Sequence, residues 1–129
     1  MRTRIYRLDE EHEEQKRLIE WAETQKQKYP QLRALYAIPN GGHRHISIAV
    51  RMKAEGVKAG VPDLMLPFPH NGYAGMFIEM KKRRGGVVRE SQSEWHTMLS
   101  GYGYCVRVCK GWEEAKDAIT EYLTPKKEP

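Results

Sequence analysis

"GVPDLMLPFPHNGYAGMFIEMKKRRGG", residues 60–86, holds two runs of strand character, Pro62–Leu66 and Met76–Lys81, joined by the turn-rich PHNGYAG. Asp63, Glu79 and Lys81 stand where the strands of a small sheet would carry apolar residues. Side chains alternate faces along a strand, so Met76, Ile78 and Met80 point one way, and Phe77, Glu79 and Lys81 the other. Leu64 and Leu66 share a face in the same manner, with Asp63 at the start of that strand behind Pro62. The short connection predicts antiparallel neighbours. Pairing about that turn sets the start of one strand beside the end of the other, so Asp63 is expected to meet Glu79 and Lys81 in space.

Two carboxylates and an amine at one place suit a divalent cation. Mg²⁺ prefers hard oxygen ligands and commonly takes one or two carboxylates, leaving positions for water and substrate phosphate. Without the cation the carboxylates repel and one tends to keep its proton. A lysine beside them can orient or deprotonate water, or stabilise charge on a phosphate. Each motif alone is commonplace: a Pro-Asp pair usually opens a turn, and Glu-x-Lys in a strand is usually a solvated ion pair. The joint occurrence, 16 residues apart (79 minus 63) and followed by a basic loop, is what carries weight.

The flanking sequence supplies the rest of the fold. Leu18, Trp21, Ala22 and Gln25 recur at helical spacing within an expected helix over residues 10–29, which Pro30 ends. Residues 35–38 (LYAI) form a short apolar run stopped by the turn PNGG, and HISIAVRMKAEG predicts a second helix with Ile46, Ala49, Val50 and Lys53 on one side. After the basic loop, Ser91 and Glu94 fit a capping box opening a helix that carries Trp95, Met98 and Leu99 inward. YCVRV is a fourth strand, and WEEAKDAITEYL a closing helix with Ala115, Ala118, Ile119 and Leu123 on its apolar side. The order helix, strand, helix, strand, strand, helix, strand, helix is an α/β fold with a small mixed central sheet flanked by helices.

The chain has 129 residues, enough for one core, and the expected organisation is a single domain over residues 1–124 with a loose tail over 125–129. No apolar run reaches the roughly 20 residues needed to cross a bilayer. The N-terminus has no apolar signal-peptide core, so no membrane role and a cytoplasmic location are expected. Net charge is +5, with basic residues clustered in KKRRGGVVR (Lys81–Arg89), and this favours a polyanionic partner. Cys105 and Cys109 lie about 13 Å apart along a strand, too far for a disulfide, so reduced thiols are expected. His43 and His45 lack a third ligand, and the three tryptophans sit at packing positions.

At this point the chain resembles a known family. The Pro62-Asp63 pair, with Glu79-Met80-Lys81 beyond it, resembles the PD-(D/E)xK nuclease signature, and the element order resembles that superfamily's restriction-endonuclease-like αβββαβ core with helices added. The closer resemblance is to VRR-NUC nucleases, small and often phage-encoded. It extends over EHEEQ, IPNGG, EGVKAGVPDL, FIEMK, SQSEWHTML and the GY before the last strand.

The resemblance implies that Asp63 and Glu79 bind metal, with the Met80 carbonyl as a third oxygen, and that Lys81 is the catalytic lysine. It implies that Gln92 positions water or the lysine. An N-terminal acid is implied as well: Glu11, four residues before Gln15, or Glu14. Asn40, Gly41, Gly42 and Arg44 of the glycine turn, Lys58 after the second helix, and Lys82, Arg83, Arg84 and Arg89 of the basic loop are the expected nucleic-acid contacts.

The implied activity is a Mg²⁺- or Mn²⁺-dependent DNA endonuclease, structure-selective for branched DNA such as a four-way (Holliday) junction. A homodimer would be needed to cut a two-fold-symmetric junction on both sides. The alternatives are a non-catalytic DNA-binding module that retains the fold, against which the full ligand set argues, and a nuclease acting on RNA.

Overall fold

The computed structural model describes residues 4–39 and 45–126, with side chains from residue 10 onward. Its elements are α1 (Arg4–Thr24), a 3-10 turn (Pro30–Ala34), β1 (Tyr36–Ala37), α2 (Ile46–Ala54), β2 (Leu64–Leu66), β3 (Met76–Lys81), α3 (Glu90–Gly101), β4 (Cys105–Lys110) and α4 (Trp112–Leu123). The four strands form one sheet in the order β1-β2-β3-β4. β1 and β2 pair antiparallel, as do β2 and β3, while β3 and β4 run parallel. This is the expected mixed α/β architecture, and the helices and strands follow one another in the expected order.

β3 divides the molecule. Met76, Ile78 and Met80 face α1 and α4, and with Leu18, Leu64, Leu66, Ala115, Ala118, Ile119 and Leu123 they form the apolar core. The opposite face carries Phe77, Glu79 and Lys81, and α3 lies over it. Phe77 packs edge-on against Tyr104, ring centroids 5.0 Å apart. One strand thus serves an oily side and a charged side, as the period-2 pattern requires.

Several element ends differ from expectation for local reasons. α1 begins at Arg4 and stops at Thr24, where Thr24 Oγ1 donates to the Trp21 carbonyl and the Gln25 amide to Ala22. Pro30 therefore opens a separate 3-10 turn instead of ending the first helix. α3 starts at Glu90 behind Arg89, so Ser91 is not its cap. The reach-back comes from Gln92, whose Oε1 accepts the Arg89 amide at 2.9 Å, the position a Glu or Gln takes in a capping box. Leu99 is buried and Trp95 half-buried as expected for an inward face, but Met98 is exposed because that face is narrower than the spacing implied.

Trp21 and Trp112 pack at the margin of the core. Both cysteines are free, and burial pushes the Cys109 thiol up to about 11, which makes it a poor nucleophile.

α2 stands apart. His45 Nδ1 caps it by accepting the Ser47 amide, yet none of its residues is buried, and Ile46 and Val50 are 79% and 63% exposed. It packs against no other named element. No helix among the described residues is long and apolar enough to cross a membrane.

Candidate active site

The β2–β3 register pairs Leu64 with Ile78, and one step further along the same ladder sets Asp63 opposite Glu79. The step is realised in hydrogen bonds. The Asp63 carbonyl accepts the Ile38 amide at 2.8 Å, and its side-chain Oδ2 accepts the Met80 amide at 2.7 Å. Asp63 is therefore fixed by its backbone on one neighbour and by its carboxylate on the other. The sheet brings Asp63, Glu79 and the Met80 backbone together.

Glu79 and Lys81 are 1% and 5% exposed. Charged side chains are rarely so deep without dedicated partners, and here α3 supplies them. Lys81 Nζ donates to Gln92 Oε1 at 3.0 Å, and Gln92 Nε2 donates to Glu79 Oε2 at 3.3 Å. Gln92 Oε1 also holds the Arg89 amide, so one amide group ties the lysine, the glutamate and the start of its own helix. One turn later, His96 Nε2 lies 3.4 Å from Glu79 Oε1. Sequence reasoning missed His96. Its spacing of four from Gln92 places both on one helix face, and that was the available signal.

Burial is the largest cause raising the Glu79 carboxyl, to about 9, followed by a hydrogen bond with Asp63 and the Asp63 charge. Lys81 opposes the rise and Glu11 adds to it. Burial and Lys81 push the His96 imidazole down against the pull of Asp63. Two carboxyls forced together in a desolvated site is an arrangement that a divalent cation relieves. Among the described residues no cluster of three or more His, Cys, Asp or Glu side chains has metal-holding geometry. The donor set nevertheless fits a hard cation, which needs only one or two carboxylates from the protein.

The two N-terminal acids part company. Glu11 is half-buried on α1, and its charge acts on Glu79. Glu14 is buried and turned elsewhere: its Oε2 accepts the Trp112 amide at 3.0 Å and pairs with Arg83 Nε at 3.3 Å. Glu14 thus braces the first turn of α4 and the basic loop.

Arg83 is accordingly occupied, since its Nη2 also pairs with Glu113 at 2.7 Å. Lys58, Arg84 and Arg89 are exposed and Lys82 is half-buried. Asn40, Gly41, Gly42 and Arg44 lie outside the described residues.

Two glycines let neighbouring segments close on the site. Gly60 has φ +90°, and a Cβ there would sit 2.8 Å from the Ser91 carbonyl oxygen, so only glycine lets the approach to Asp63 lie against the start of α3. A Cβ on Gly86 would come within 2.8 Å of Lys81 Cβ, so the basic loop folds back directly onto the lysine.

Comparisons with known proteins identify the family. The VRR-NUC domain family matches residues 2–113. The chain is a member of the VRR-NUC domain family. A solved structure described as a "VRR_NUC domain protein" is 32% identical to it, with a TM-score of 0.75, over 88% of this chain and 87% of the other. No curated protein gave a match. VRR-NUC domains are nuclease domains, and the α/β fold described above is the one found in the solved relative.

Proposed function

We propose that this VRR-NUC protein is a Mg²⁺- or Mn²⁺-dependent DNA endonuclease that selects branched DNA. The observation that carries the reading is the convergence of Asp63, Glu79 and Lys81, with Gln92 bonded to both the glutamate and the lysine. Asp63, Glu79 and the Met80 carbonyl would hold the cation, with Glu11 near enough for its charge to act on Glu79. The cation supplies Lewis-acid stabilisation of charge on the phosphate and raises the acidity of water.

The chain's own residues do the remainder. Lys81, aimed by Gln92, orients the attacking water in line with the scissile bond and offsets negative charge developing on the phosphoryl oxygens. Burial under α3 excludes bulk water and strengthens each of these interactions. The exposed cations Lys58, Arg84 and Arg89, with Lys82, grip the backbone of the duplex arms, and Asn40, Gly41, Gly42 and Arg44 are proposed to join them.

A branched substrate with two-fold symmetry calls for two such sites. The uncovered apolar side of α2 supports a homodimer: a nine-residue helix that packs against no other named element is marginal in water, and a second copy would cover it.

Four-way, flap and linear DNA incubated with Mg²⁺ test this reading alongside Asp63→Ala and Lys81→Ala. Cleavage of branched substrates that falls about 100-fold or more in each variant is the expected result. Unchanged cleavage in both variants overturns the site, and equal cleavage of linear DNA overturns the selectivity.

A further inference from the structure

We infer that His96 is a positioning residue that locks the Glu79 carboxylate for cation binding. The inference rests on the nuclease reading above and adds a residue to it. Glu79 has three side-chain torsions, and burial alone does not select one carboxylate orientation. Gln92 Nε2 fixes one oxygen, Oε2. The hydrogen bond with Asp63 needs a shared proton, so once Glu79 ionises to take a cation, the Gln92 contact alone leaves the group free to swing about it. His96 Nε2, 3.4 Å from Oε1, is the second point, and two points define the plane.

Both contacts come from one face of α3, at positions 92 and 96, so the seating of a single helix sets the ligand geometry. His96 is 15% exposed at the side chain, which keeps water from replacing its contact freely. Its ring reaches the glutamate and not the lysine's partner atom, so its effect falls on cation affinity before it falls on Lys81.

Calorimetric titration of the full chain with Mn²⁺, in wild type and in His96→Leu and His96→Gln, tests this without relying on cleavage. A glutamine places its amide nitrogen where Nε2 stands. His96→Leu is expected to bind Mn²⁺ about 10- to 100-fold more weakly, as removal of an outer-shell partner does, while His96→Gln stays near wild type. In parallel, His96→Leu raises the Mg²⁺ concentration for half-maximal cleavage more than it lowers the rate at saturating Mg²⁺. Thermal unfolding in chelator reports whether each variant folds.

Equal Mn²⁺ affinity in wild type and His96→Leu overturns the inference, as does a glutamine variant as weak as the leucine one. If the leucine variant does not fold, His96→Asn replaces it. Its shorter amide falls short of Glu79, so binding equal to that of His96→Gln overturns the inference. Failure of the wild type itself to bind Mn²⁺, or binding unaffected by Asp63→Ala, instead sinks the nuclease reading.

Discussion

Glu79 is the residue at which stability and chemistry oppose each other. In the folded chain it holds its proton to about pH 9, against 4.5 for the ordinary group. Between those values the folded state binds more protons than the unfolded one. In chelator, stability is therefore greatest near or below pH 4.5 as far as this group is concerned, and falls as pH rises toward 9. The slope contributed by one proton is at most about 1.4 kcal/mol per pH unit. Urea unfolding at pH 6 and pH 8 is expected to show a smaller loss in Glu79→Gln than in wild type, because the amide has no proton to give up. Gln92 bears on the same balance. Gln92→Ala strands the buried Lys81 amine, and about 1–3 kcal/mol of stability is expected to go with it, alongside most of the activity. Paired denaturation and cleavage assays on that variant are the check.

At the scale of elements, the sequence was most legible where one period ran uninterrupted. β3 was readable residue by residue from MFIEMK, and α4 from the spacing of Ala115, Ala118, Ile119 and Leu123. The meeting of residues 63 and 79 followed from the hairpin. Less legible were features set by contacts between distant segments. Nothing local announces that Glu14 will cap the amide of Trp112, 98 positions away, so it could not be separated from Glu11 in advance. The cap of α3 was misplaced because a Ser and a Glu gave a familiar pattern, while Gln92 performed the task from the third position. These contacts make their own predictions. Glu14→Ala leaves the Trp112 amide without its acceptor and frees Arg83, and is expected to cost about 1–3 kcal/mol. Hydrogen exchange should rise in the first turn of α4 and in the basic loop. Gly86→Ala, by contrast, pushes that loop off Lys81, and its expected signature is lost cleavage with a largely preserved unfolding midpoint.

For the whole molecule, the unsettled surface is α2. Its apolar residues were legible as an amphipathic face, but the sequence could not say whether that face meets the same chain or another. Among the described residues it packs against no other named element, and none of its side chains is buried. If a second copy covers it, Ile46→Asp with Val50→Asp is expected to halve the mass seen by light scattering. The unfolding midpoint at low concentration should hardly move, since neither side chain is packed within the protomer. An unaltered mass would assign the face to some other contact.

Gln92 and His96, which between them bond Glu79 and Lys81, reside on α3, which the ribosome delivers after both strands that carry the carboxylates. A growing chain that has emerged only as far as residue 86 has its acids and its lysine but nothing to aim them. It also lacks β4, the parallel neighbour that holds β3 in the interior. The site proposed above would thus be completed last, when the final third of the polypeptide docks, and prematurely terminated fragments would be left unarmed in the presence of the cell's own nucleic acid.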